Sequence, residues 1–411
     1  MRTIYRGAAV HDGTGAPPVT GDLVVQDGRI VPPTEARPGT DRVVDVTGRS
    51  IIPGLIDCHT HVNLPHLDTA RLLNTPLSYR LFTAGRTLSG LLDRGITGVR
   101  DAGGADVGIA RAVADGLVRG PRIQTAIAMI SPTGGHADPW QLSGQSPRAA
   151  FPVYPGMPDA VADGPEGMRR VVRELVRAGA GVLKVAVSGG ISSPLDDPMH
   201  CQVREEELAV LVAEAAAAGL AVMAHAHGPA AIAAAVPAGV RSIEHGVFLD
   251  AESAELMREH GTFLVPTLTA PTAYLTMLEQ GSSVDPTALR QARAAVAAHT
   301  ASFRRALNAG VRIAMGSDSG FSPQGDNLRE LEAMAQAGLD RAACLRAATA
   351  DAAELLGVAG ETGTLRPGLR ADFCVVDGDP LDFTGLSDRI HAVYLDGELS
   401  GGPLYHATHP D

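Results

Sequence analysis

Ile51-Ile52-Pro53-Gly54-Leu55-Ile56-Asp57-Cys58-His59-Thr60-His61 is the stretch on which the fold of this 411-residue chain turns. An apolar, β-branched run of this kind predicts a buried strand. Strand side chains alternate between faces, so His59 and His61 point the same way at its C-terminal end, while Cys58 and Thr60 face elsewhere. Two imidazoles on one face can share a cation, but alone such a pair is a weak signal that a hydrogen-bonded structural pair also explains.

Outward from that run, short Val/Ile/Leu/Ala strands alternate with helical patterns, the signature of parallel βα units. Eight strands begin near Ile51, Ile96, Arg122, Val182, Ala221, Arg241, Thr262 and Val311. Apolar spacing sets helices over 166–178, 205–218, 229–238, 251–260, 287–309 and 327–337. Eight such repeats match a (β/α)8 barrel, whose active site lies at the C-terminal ends of the strands. The flanks read differently. Short β runs broken by turns such as Asp27-Gly28 and Asp377-Gly378-Asp379-Pro380 occur at both ends of the chain. The expected organisation is therefore α/β: a (β/α)8 TIM barrel over 55–357, with a small discontinuous β-sandwich domain built from 1–54 and 358–411.

Composition excludes several classes. Lys plus Arg number 34 against 46 Asp plus Glu, a net charge of −12, and no basic run could follow a phosphate backbone. Nucleic acid is not an expected partner. Residues 1–10 lack a signal peptide's apolar run, and no stretch reaches about 18 uninterrupted apolar residues, so a cytoplasmic protein without a membrane partner is expected. Cys58, Cys201, Cys344 and Cys374 show no CxxC pairing and fit reduced thiols. A small-molecule substrate remains as the expected partner, with a homo-oligomer left open.

Every later candidate for chemistry also falls at a strand end. Lys184 interrupts the apolar run Val182 to Val187, where an isolated ammonium is costly and must be paired, deprotonated or modified. Ala224-His225-Ala226-His227-Gly228 places a second same-face pair on strand five. Ser242-Ile243-Glu244-His245-Gly246 closes strand six, and Gly316-Ser317-Asp318 puts a carboxylate on strand eight. Each has a bland reading alone, such as a satisfied core histidine or a capping aspartate. Five strands each placing a ligand-type side chain on one rim point to a metal site.

In this order the motifs resemble the amidohydrolase superfamily, and within it the imidazolonepropionase-like group that includes prolidases and N-acyl amino acid hydrolases. The resemblance runs from the Pro53 to His61 entry to Gly368-Leu369-Arg370-Ala371-Asp372. It implies a binuclear site: His59, His61 and Asp318 on one metal, His225 and His245 on the other, and Lys184 bridging both as a carboxylated lysine. Zinc is the default ion for nitrogen and oxygen ligands, with manganese or cobalt also accepted. A hydroxide bridging two such cations is a nucleophile at neutral pH, and Asp318 would relay its proton to the leaving nitrogen.

The connection after strand three holds Ser131-Pro132-Thr133-Gly134-Gly135-His136 and runs to about residue 163. A connection that long is usually functional. Its TGGH resembles the prolidase-like segment whose histidine hydrogen-bonds the substrate carbonyl, which assigns His136 to the developing oxyanion. Trp140 and Tyr154 either wall a substrate pocket or pack this loop. His227 stands where many relatives have tyrosine and is expected to touch substrate, and Asp351 stands where asparagine is commoner. His66, His200, His260, His391, His406 and His409 have no strand-end context.

The reading is a metal-dependent hydrolase of a linear amide, of the dipeptide or N-acyl amino acid kind. A cyclic-amide hydrolase or deaminase on the same scaffold is the first rival, disfavoured by the presence of Lys184. A non-catalytic scaffold would be expected to lack at least one ligand.

Overall fold

The structure is a computed structural model that describes residues 2–33, 40–64, 69–138, 140, 143–144, 146, 152–193, 195–280, 286–320, 325 and 327–409. His66 lies outside the described residues, as does part of the 131–163 connection.

Eight parallel strands with helices between them form the barrel. The first is Leu55–Thr60, followed by Ile96–Asp101 and Arg122–Thr125. Strand four is Leu183–Ala186, five Val222–Ala226, six Ser242–His245, seven Phe263–Val265 and eight Arg312–Ile313. Strand three is broken. Its first piece pairs with strand two, and Met129–Ile130 pairs with strand four. Between them Ile127 sits at φ 66, a left-handed backbone that a β-branched residue rarely adopts. The ring closes between strands eight and one through Cys58 N–H to the Met315 carbonyl (2.9 Å) and Asp318 N–H to the His59 carbonyl (2.8 Å). Gly316 permits that closure, because a Cβ there would lie 2.3 Å from Val265 Cγ1 and 2.9 Å from His59 Cβ.

The helices read from apolar spacing form with end shifts of a few residues, for example Glu205–Ala217 and Pro286–Ala309. Leu77–Asp93, Val107–Ala114 and Thr269–Gln280 are further helices that spacing did not single out. No helix among the described residues is long and apolar enough to cross a membrane.

Strands from both flanks join one eight-stranded sheet beside the barrel. Arg49–Pro53 lies near its middle, antiparallel to Phe373–Asp377 and parallel to the end of Arg2–Val10. Tyr5, Phe373 and Tyr394 pack their rings at 4.5–5.0 Å in its core.

The expected strand beginning near Ile51 is thus two strands, with the barrel strand starting at Leu55. Gly54 is the joint. Its N–H donates to the Asp372 carbonyl of the sheet (2.9 Å), while Leu55 N–H donates to the Gly95 carbonyl of the barrel (3.0 Å). A Cβ on Gly54 would sit 2.1 Å from Thr97 Oγ1 and 2.7 Å from Thr97 Cβ. Gly54→Ala is therefore expected to destabilise the chain by about 1–3 kcal/mol, the usual cost of overpacking. Urea unfolding checks this, and an unchanged midpoint would show that the joint relaxes.

Candidate metal centre

The strand ends bring His59, His61, Lys184, His225, His245 and Asp318 to one pocket, which His136 and His227 also line. Alternation delivers most of them. His59, Lys184 and His225 follow the inward parity of their strands. His245 and Asp318 break it, at φ 73 and φ 53, and so turn into a rim they could not reach from extended backbone.

Four of the histidines share one design. His59 Nδ1 is 2.6 Å from Glu244 Oε2, and His61 Nδ1 is 2.8 Å from the Gly103 carbonyl. His225 Nε2 is 3.2 Å from the Gly189 carbonyl, and His245 Nδ1 is 2.8 Å from Thr267 Oγ1. A neutral imidazole that donates one N–H outward keeps a lone pair on its other nitrogen, which is how metal-binding histidines are held. His227 has no such support: its Nδ1 is buried without a hydrogen-bond partner, and its ring stacks on His245 at 5.0 Å.

The free nitrogens of His59 and His61 converge on one carboxylate oxygen. Asp318 Oδ1, buried without a hydrogen-bond partner, is 3.5 Å from His59 Nε2 and 3.4 Å from His61 Nε2. Lone pairs facing a carboxylate oxygen repel unless a proton or cation lies between, so the donor set fits a metal. His59, His245 and Asp318 each offer a ligand atom within 4.8 Å of one another. That group takes one histidine from each of the two sets the resemblance implied.

The chain matches the amidohydrolase family model over residues 50–399. It belongs to that family. An ochratoxinase of Aspergillus niger is 35% identical to it over 372 residues, covering 86% of this chain and 76% of the other. A solved Xaa-Pro dipeptidase with bound methionine superimposes with a TM-score of 0.89 at 28% identity, covering 98% of this chain and 100% of that one. A prolidase complexed with N-methylphosphonate-L-proline gives a TM-score of 0.86 at 33% identity over the same shares. This amidohydrolase is accordingly a metal-dependent hydrolase acting on carbon–nitrogen bonds.

Burial sets the electrostatics of the amidohydrolase site. It lowers Lys184 to about 8, and with the Lys184 charge it brings His59 down to about 4. Both residues are thus readily deprotonated, as ligation requires. Burial would raise Asp318, but His59 and His61 hold its carboxyl below the usual range.

Three supporting residues were missed in the sequence. Arg100, 1% exposed, donates to the Cys58 carbonyl (2.7 Å), Ser242 Oγ (3.1 Å) and Glu244 Oε1 (2.9 Å). Glu244 accepts from Arg100 on one oxygen and from His59 on the other, so one buried ion pair orients a metal-type histidine. The signal was present, since Arg100 interrupts strand two as Lys184 interrupts strand four. Asp57 is a similar brace, accepting from His59 N–H, Ser317 and Asn327.

His136 lines the pocket with its ring 4.5 Å from that of His225. Trp140 and Tyr154 do not line it. Tyr154 donates to Asp106 Oδ2 (2.9 Å), the carboxylate that caps helix Val107–Ala114, and Trp140 is 52% exposed. Of the readings left open for these two, loop packing describes Tyr154. The apolar wall is built instead by residues such as Ile191, Val247, Pro271 and Tyr274.

Proposed function

We propose that this chain hydrolyses a linear amide of the dipeptide or N-acyl amino acid type at a binuclear centre. The observation that carries the reading is the set of four histidines, each tied outward through one nitrogen, gathered with Lys184 and Asp318 in one pocket. His59, His61 and Asp318 would hold one ion and His225 and His245 the other, zinc first, with manganese or cobalt as substitutes. Lys184 would bridge as its carbamate, which replaces a buried cation by a shared anion; a pKa near 8 supplies the free amine that reaction with carbon dioxide needs. When bound, the metals polarise the scissile carbonyl and make water nucleophilic at neutral pH.

The rest is done by the chain. Asp318 takes a proton from the attacking water and carries it to the nitrogen, which otherwise would leave as a poor amide anion. His136 meets the carbonyl oxygen as charge develops on it. His227, with its unpartnered Nδ1, reads a polar group of the substrate beyond the metal ligands. The Ile191, Val247 and Pro271 wall keeps water from the reacting bond. An ochratoxinase, a Xaa-Pro dipeptidase and a prolidase among the relatives support an amide substrate.

The test is elemental analysis of protein purified without chelators, paired on the same sample with hydrolysis of dipeptides and N-acyl amino acids. Close to two metals per chain with amide cleavage is expected. One metal, with ammonia released from cyclic amidines and no amide cleavage, would replace this reading by the deaminase one.

A further inference from the structure

Among the described residues, the hydrogen-bond partners of His136 come from outside its own loop. Its ring Nδ1 lies 3.0 Å from Asp196 Oδ2, and its backbone N–H donates to Gln202 Oε1 at 3.0 Å. Both partners follow strand four in the chain, within 195–202. Gly190, earlier in the same connection, passes so close that a Cβ on it would sit 2.0 Å from His136 Cε1 and 2.5 Å from Nδ1. Gly190 has no left-handed backbone among its requirements, so this close approach is what calls for glycine there. The ring also lies against His225, with centroids 4.5 Å apart and planes 17° from parallel.

Asp196 is itself fixed. Gly190 N–H donates to Oδ1 (3.3 Å), Gln291 Nε2 from helix Pro286–Ala309 donates to the Asp196 carbonyl (3.0 Å), and the carboxylate is largely buried, at 6% exposure. Buried carboxylates persist where their oxygens are used. Burial would raise it, but the contact with His136 brings it below the usual carboxylate range.

We propose that Asp196 and Gly190 form a seat that positions His136, with Asp196 accepting the Nδ1–H so that Nε2 is the nitrogen presented to the substrate. Asp196 is a positioning residue and touches no reacting atom. The inference rests on the amide-hydrolase reading for its kinetic consequence only. A ring held by three contacts keeps its free nitrogen within a fraction of an ångström of one place, which is what an oxyanion partner needs. The arrangement also makes the segment after strand four part of the catalytic apparatus, because it carries Ile191 of the pocket wall on the same turn.

Three measurements judge it. In the protein as purified, labelled with nitrogen-15 histidine, the His136 signal, assigned by its loss in His136→Gln, is expected to show the proton on Nδ1. Asp196→Ala is expected to mix the two tautomers. A bare Nδ1 in the native protein would overturn the proposal whether or not any substrate is known. With a cleaved amide in hand, Asp196→Ala should lower kcat about a hundredfold, the usual scale for one oxyanion partner, with KM changed less than threefold. Asp196→Asn, which keeps an oxygen to accept the N–H, should recover most of that loss. Third, Asp196→Ala added to His136→Ala should cost no further activity, since both act through one ring. Full additivity, or a loss confined to melting temperature with kcat intact, would make Asp196 merely structural. A native protein that cleaves no amide would defeat the substrate reading and leave the tautomer result standing.

Discussion

Asp318→Asn should retain its metals and lose nearly all turnover, by roughly a hundredfold to ten-thousandfold, the span of general acid–base catalysis. The substitution isolates one property. Asparagine keeps an oxygen at the position that faces His59 and His61, and it tolerates the φ of 53 that Asp318 adopts better than most residues. What it cannot do is accept a proton from water and return it to an amide nitrogen. Elemental analysis with steady-state kinetics on the same preparation is the check. Activity within threefold of the native protein would remove Asp318 from proton transfer.

Arg100→Met is expected to cost about 3–5 kcal/mol of stability, the usual result of breaking a buried ion pair from one side. The reason lies in what remains. Glu244 is wholly buried, and without the guanidinium its charge would keep the hydrogen bonds to His59 and Ser242 and the more distant Lys184 charge, but lose its paired cation. Adding Glu244→Gln should restore part of the loss by removing the orphaned charge, so the double variant is expected to unfold later than the single one. Additive losses in denaturant titrations would refute the pairing.

The same pair sets an acid limb. Burial would raise Glu244, but Arg100 and His59 hold it near 2. A carboxyl depressed on folding stabilises above its unfolded value of about 4.3 and loses that contribution as pH falls towards the folded value. Metal-free protein should therefore weaken between about pH 4 and pH 2, and Glu244→Gln should flatten that part of the curve.

Much of the centre was legible because its signals are periodic or costly. The pair His59 and His61 follows from a period of two, and Lys184 from the expense of a charge in an apolar strand. His245 and Asp318 were found by residue type at a strand end, yet their direction was not readable. Alternation puts Glu244 and His245 on opposite faces, and only the left-handed backbone at His245 brings both around His59. Asp196 was beyond reach for another reason: its partner lies 60 residues away in a different connection, and nothing local in either stretch encodes their meeting. The tyrosine at 154 illustrates the converse, an aromatic residue whose hydroxyl found a helix cap rather than a pocket.

The placement of Arg49–Pro53 between the two ends of the chain also imposes an order on synthesis. Its partner on one side, Arg2–Val10, emerges first from the ribosome, whereas its partner on the other, Phe373–Asp377, emerges after the whole barrel. Until then the strand presents an open edge, with Ser50, Ile51, Ile52 and Pro53 lacking the neighbour that buries them. A barrel that docks early against Gly54 shortens the search for that late partner, while a chain stalled before residue 373 keeps a hydrophobic edge exposed for as long as it lasts. Sealing of that edge therefore waits for the C-terminal strands to be made, and a truncation before Phe373 would leave it open.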